Sequence, residues 1–224
     1  MSLSLTRESY FWHKIHSLTG IVPVGFYMVQ HLTLNSFSLG GPEKFNAVIG
    51  FFDGMPKHLL LALEALFIWI PLLFHAVYGI FIVGRAQPNY FSEKYRWSEN
   101  RMYVFQRWSG IALFFLLIGH VVTTTIKAKV SPIGIEAIEF DAWNQTLVSG
   151  GTYIVLILYV IGVLLASYHL CYGIWNFCIR WGITVSERSQ RGMQKFCGLL
   201  FVAVTLLGWA ALLGFLIPHR PSLI

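Results

Sequence analysis

The sequence predicts an all-α integral membrane protein with five transmembrane helices, and three observations carry that reading. Only 12% of its 224 residues are charged and 56% are hydrophobic, whereas a soluble domain is about a quarter charged. The mean hydropathy is +0.63. The apolar residues gather in five runs, each long enough for the ~20 residues that a bilayer crossing needs. The loops between the runs are short, so residues 1–224 read as a single membrane domain.

The runs place helices at about 13–37, 59–84, 104–127, 151–179 and 194–217. The first contains Gly20, Pro23 and Gly25, which membrane helices tolerate where neighbours re-satisfy the backbone. Trp12, Tyr103, Trp108 and Trp181 fall near predicted helix ends, where amphipathic rings favour the headgroup layer. The opening MSLSLTRESYFWHKIHS is polar and amphipathic and lacks the apolar core of a cleavable secretory signal.

Five crossings put the termini on opposite sides, and the basic residues choose the side. Arg7, Lys14, Arg85, Lys94, Arg96, Arg101, Arg107, Arg180, Arg188, Arg191 and Lys195 lie in the N-terminal segment and the second and fourth loops. The other three segments hold Lys44, Lys57, Lys127, Lys129 and Arg220. By the positive-inside rule the N-terminus faces the cytoplasm and the C-terminus lies outside. The third loop, with Glu136, Glu139 and Asp141, then faces outward. The excess of 16 Lys and Arg over 10 Asp and Glu thus orients the protein and does not point to nucleic acid. Cys171, Cys178 and Cys197 form no Cys-x-x-Cys pair; they read as small apolar packing residues.

Histidine inside a membrane span is costly and calls for a partner. Four of the eight histidines lie well inside spans, one in each of the first four helices: His31, His75, His120 and His169. A short internal repeat frames them. Helix two reads HAVYGIF from His75 and helix four reads HLCYGIW from His169. Helix one reads SLTG up to Gly20 and helix three reads RWSG up to Gly110, with a histidine eleven and ten residues further on. A two-helix unit repeated in one orientation sets equivalent residues at equal depth. At ~1.5 Å per residue, His31 and His120 share an outer layer and His75 and His169 an inner one, roughly 14 Å apart.

Each pair then comes from two helices of a four-helix bundle, where cofactor sites are built from inward-facing side chains. Two opposed imidazoles in an apolar cavity suit a haem whose axial positions are both filled, which favours electron transfer. Zinc is the rival, but it takes about four ligands together, and no carboxylate or thiol accompanies either pair at ligand spacing. Gly79, Gly119 and Gly173 would let a broad ring approach the backbone, or serve close helix packing. Without Cys-x-x-Cys-His, attachment is non-covalent, so two b-type haems are expected.

The residues at this point resemble a known family. FWHKIHSLTG from Phe11 to Gly20, Gln30-His31, Leu63-Glu64, PLLFHAVYG from Pro71 to Gly79, Gln106-Arg107 and WGITV from Trp181 to Val185 are similar to the five-helix, di-haem cytochrome b subunit of succinate dehydrogenases and fumarate reductases that use menaquinone. The resemblance covers nearly the whole chain. It implies that His31 and His120 hold an outer, low-potential haem, and that His75 and His169 hold an inner, high-potential one. It also implies flavoprotein and iron–sulfur partner subunits, a bacterial cytoplasmic membrane with its lipid, and menaquinone as the electron acceptor. The chain has no Gly-x-Gly-x-x-Gly fingerprint and no cysteine cluster, so it does not oxidise succinate by itself.

Glu64 is the candidate for proton transfer at the quinone site. It precedes His75 by eleven residues, nearly the same face of a regular helix, and a carboxyl beside a quinone can shuttle protons. His58 is a weaker candidate. Arg107, Ser17 and Ser109 are candidate partners for haem propionates; His13 and His16 lie on the same edge, and His219 reads as incidental. Some relatives carry a glutamate two residues before the inner histidine, where this chain has Ser167. That difference favours succinate oxidation over fumarate reduction. Two other readings stay open: the di-haem cytochrome of a quinone-linked hydrogenase or formate dehydrogenase, and a haem-free transporter or anchor.

Overall fold

The computed structural model describes residues 7–86, 98–148 and 151–218, with side chains described from Tyr10 onward in the first segment. Lys94, Arg96, His219 and Arg220, used above for orientation and the histidine inventory, lie outside these residues, and Arg7 is described by its backbone alone. Eight helices are described: α1 (Arg7–Ile21), α2 (Pro23–Asn35), α3 (Pro42–Asp53), α4 (Lys57–Gly84), α5 (Ser98–Val130), α6 (Phe140–Leu147), α7 (Ile154–Arg180) and α8 (Glu187–Leu216). Among the described residues four of them, α4, α5, α7 and α8, are long and apolar enough to cross a membrane. The protein is an all-α membrane protein.

The first expected span is where structure and sequence differ. Residues 13–37 were expected to form one helix; instead α1 and α2 meet at Val22, and neither, at 15 and 13 residues, reaches the ~20 that a crossing takes. Pro23 is the cause: it has no N–H for the preceding turn, and its ring crowds the carbonyl four residues back. The first and third loops also contain more structure than expected. The first holds α3, started by Pro42 behind Gly41 at φ +87°. The third holds a 3₁₀ turn over Gly134–Ile138 and then α6.

Two of the long helices widen locally into π turns, at Ala65–Trp69 in α4 and Val122–Ile126 in α5. In α4 the widening precedes Pro71, whose missing donor and bulk it accommodates. In α5 the Thr123 and Thr124 hydroxyls donate back to the carbonyls of Gly119 and His120, a pattern that bends helices. The first π turn corrects the helical-face argument. One extra residue between Glu64 and His75 rotates their faces apart by about 100°, so an eleven-residue separation no longer means a shared face.

Packing divides the chain into two compact units. One comprises Met1–Tyr27, Leu63–Ala112 and Ala166–Val202; the other comprises Met28–Ala62, Leu113–Leu165 and Ala203–Ile224. The first has a core of Cys171, Tyr172, Trp175 and Cys197, flanked by Met102, Tyr168 and Phe201. All three cysteines are buried and free, as small packing residues should be. The second has a core of Phe45, Phe140, Leu147 and Phe215. Side-chain to backbone bonds tie its short helices down: Ser38 Oγ donates to the Ala211 carbonyl at 2.7 Å, and Asn144 Nδ2 donates to that of Phe215 at 2.6 Å.

Candidate functional site

Each unit contains one pair of the four histidines. In the first unit His75 of α4 and His169 of α7 have ring centres 6.1 Å apart, with planes at 88°. In the second unit His31 of α2 and His120 of α5 have ring centres 5.7 Å apart, with planes at 80°. The pairing expected from depth is therefore the pairing in space.

The first pair is fixed through Nδ1. His75 Nδ1 lies 2.9 Å from the His16 carbonyl. His169 Nδ1 lies 3.2 Å from the Gln106 carbonyl and 3.1 Å from Ser109 Oγ. A carbonyl only accepts, so Nδ1–H donates in both rings and Nε2 keeps its lone pair, the form that binds a metal. Glycines make the approach possible. A Cβ on Gly20 would collide with the His75 ring, and one on Gly110 would come within 3.0 Å of His169 Cε1.

The second pair is held differently. His120 Nδ1 is hydrogen-bonded to the Tyr159 hydroxyl at 3.1 Å, and Trp143 packs edge-on against the Tyr159 ring at 5.4 Å. The His120 carbonyl receives the Thr124 hydroxyl at 2.7 Å.

Each pair brings two imidazoles close together, with ring centres 6.1 and 5.7 Å apart, so that both rings of a pair are at hand for a common metal. Among the described residues no group of three or more His, Cys, Asp or Glu is arranged to hold a metal ion. The donor set therefore fits a metal that takes two protein ligands and obtains the rest of its coordination from a macrocycle. Beside the first pair, the buried His16 Nδ1, Gln106 Oε1 and Arg107 Nε have no protein hydrogen-bond partner. These are polar atoms that a bound group could satisfy.

The remaining candidates are placed as follows. Ser109 is 1% exposed, and its hydroxyl donates to the Gln106 carbonyl beside His169. Ser17 Oγ donates to the Lys14 carbonyl and accepts the Trp181 indole N–H at 3.1 Å. Arg107 folds over the Tyr103 ring, its guanidinium carbon 3.3 Å from the centroid. His16 stacks on His75 with ring centres 4.1 Å apart, and His13 Nδ1 is hydrogen-bonded to the Tyr78 hydroxyl at 3.1 Å. Glu64 is half-buried within electrostatic reach of Tyr27, and His58 is exposed. Gly79 and Gly173 face His16 and Gln106, and Gly119 faces open space. The glycines that admit the histidine rings are Gly20 and Gly110, both already visible in the repeat. Tyr159 had no sequence signal.

Comparison with known proteins shows the family. Residues 89–212 match the family model described as succinate dehydrogenase/fumarate reductase transmembrane subunit. The succinate dehydrogenase cytochrome b558 subunit of Bacillus subtilis (strain 168) is 38% identical over 213 residues, spanning 95% of this chain and all of that protein. The chain belongs to the succinate dehydrogenase/fumarate reductase transmembrane subunit family. The family match covers the helices that carry His120, His169, Gln106 and Ser109, and the B. subtilis relative extends the similarity to nearly all of the rest.

Proposed function

We propose that this chain is the membrane-anchor cytochrome b subunit of a succinate:quinone oxidoreductase in a bacterial cytoplasmic membrane. In this reading it receives electrons from the iron–sulfur subunit, itself supplied by the flavoprotein, and delivers them by way of two b haems to menaquinone. The observation that carries the reading is the histidine pair built twice, in a chain of this family. These four histidines would hold the non-covalently bound haem, which would supply a one-electron iron couple.

The chain's own residues do the rest. His75 and His169 present Nε2 because their Nδ1 protons are held by main-chain carbonyls, which also orient the rings. His31 and His120 form the second ligand pair. Arg107 and Ser17 remain the proposed propionate partners, and Ser109 contributes beside His169. Glu64 is the proposed proton donor to reduced quinone, with Tyr27 as its neighbour. Replacing it as Glu64→Gln should cut quinone reduction about 100-fold while succinate still reduces the haems; unchanged turnover would remove Glu64 from the mechanism. We further propose five crossings, with α1 and α2 together forming the first, a two-helix repeat, and a cytoplasmic N-terminus.

The deciding experiment is a reduced-minus-oxidised optical spectrum with a pyridine haemochrome count on the purified protein. Two b haems per chain are expected. A well-folded sample without haem would overturn the reading in favour of a transporter or passive anchor.

A further inference from the structure

The Tyr159 hydroxyl beside His120 belongs to a longer chain of contacts, all within the second compact unit. His120 stands two residues before the π turn of α5. With Nε2 left to a metal, Nδ1 of the neutral imidazole carries the proton, so it donates to the Tyr159 oxygen at 3.1 Å. The phenol must then place its own proton elsewhere, and it is also hydrogen-bonded to the Thr123 side chain. The Thr123 hydroxyl is already committed as a donor, to the Gly119 carbonyl at 2.8 Å and to that of His120 at 3.2 Å. It can only accept from the tyrosine. The donors therefore point one way, from His120 through Tyr159 and Thr123 to the main chain of α5.

The tyrosine ring is clamped as well. Trp143 meets it edge-on, with ring centres 5.4 Å apart and planes at 87°. Trp143 is carried by α6, and two asparagines anchor that helix. Asn46 Oδ1 accepts the Phe140 N–H at 2.9 Å, and Asn144 Nδ2 donates to the Phe215 carbonyl at 2.6 Å. Trp143 and Tyr159 both pack against the core of Phe45, Phe140, Leu147 and Phe215. A phenylalanine at position 159 would fill the same space, so packing does not explain the hydroxyl. Its alignment on the free nitrogen of a proposed ligand does.

An acceptor on the outer N–H of a ligating imidazole makes that imidazole more basic, and a more basic ligand favours ferric over ferrous iron. A second hydroxyl behind the first polarises it and strengthens the contact. We propose that Tyr159 is a positioning residue that sets the redox poise of the haem at the His31–His120 pair. Thr123 aims its hydroxyl, Trp143 fixes its ring, and the hydrogen bond lowers the potential of that haem. This deepens the function proposed above and rests on it.

The test is the midpoint potential and electron paramagnetic resonance spectrum of both haems in the whole complex, for wild type, Tyr159→Phe and Thr123→Val. In Tyr159→Phe the ferrous-to-ferric ratio of this haem at a fixed electrode potential should rise about three- to tenfold, the range of one hydrogen bond. For a one-electron couple that is an upward shift of about 28–59 mV. Thr123→Val keeps the phenol on His120 but removes its acceptor, and should shift the ratio the same way by less than about threefold. The g values of the ferric haem should change with its potential, and those of the other haem should not. A potential that stays or falls in haem-loaded Tyr159→Phe would overturn the proposal and leave the cytochrome reading intact. Should Tyr159→Phe lose this haem, Thr123→Val decides: an upward shift supports the proposal, and unchanged potential and g values overturn it. A wild-type complex without haem would instead overturn both readings.

Discussion

The two histidine pairs have similar spacing but are held by different parts of the chain. In the first unit both rings hang from main-chain carbonyls, those of His16 and Gln106, each four residues before a glycine. In a helix such a carbonyl already accepts the glycine's own N–H; the missing Cβ leaves room for an imidazole beside that bond. In the second unit His120 relies on the hydroxyl of Tyr159. A backbone acceptor cannot be removed by substitution but can be blocked by a methyl group. A side-chain acceptor can be removed by a single atom. The first pair should therefore be sensitive to added bulk and the second to lost polarity.

The largest effects come from the ligands themselves. His75→Ala or His169→Ala should each lower the haem count from two to one and weaken retention of the soluble subunits. His31→Ala or His120→Ala should each remove the other haem and leave the first. A pyridine haemochrome count with a potentiometric titration checks this. Two haems surviving any of the four changes would break the pairing.

Next come the glycines. Gly20→Ala drives a methyl into the His75 ring, and Gly110→Ala brings one within 3.0 Å of His169, where a small shift suffices. Overpacking of this kind costs about 1–3 kcal/mol, and Gly20→Ala should lie at the top of that range. Haem retained after purification should fall further for Gly20→Ala than for Gly110→Ala, with the spectrum of the other haem unchanged. Equal losses would mean that the two rings are not seated differently.

Much of this was legible in the sequence because membranes impose strong rules. The apolar runs gave α4, α5, α7 and α8, and the intramembrane histidines gave the pairs, since an unpartnered imidazole in a span is so costly. The repeat pointed at Gly20 and Gly110 by aligning them, the two glycines whose missing Cβ admits the imidazole rings. What failed was whatever depends on local register. Pro23 interrupts, for the single residue Val22, a helix that hydropathy read as continuous. Pro71 came with a π turn that no apolar pattern reveals, and the turn removed the face shared by Glu64 and His75. Tyr159 was invisible because its partner lies 39 residues away, and a tyrosine in a span is otherwise unremarked. The short helices α3 and α6 were read as loops because, at 12 and 8 residues, they are too short to register as spans.

The smallest effects are hydroxyl deletions, which test the contrast most directly. Tyr159→Phe removes the partner of His120 Nδ1 and should cost about 0.5–1.5 kcal/mol, a two- to tenfold loss in haem affinity at the second pair. Ser109→Ala removes the hydroxyl 3.1 Å from His169 Nδ1 but leaves the Gln106 carbonyl to accept the same proton. It should therefore change affinity at the first pair less than twofold. Haem-release rates measured with an excess of apomyoglobin as acceptor would separate the two. Equal losses would show that His169, like His120, depends on a side-chain hydroxyl, and the backbone would then lose its place as the element that distinguishes the first pair from the second.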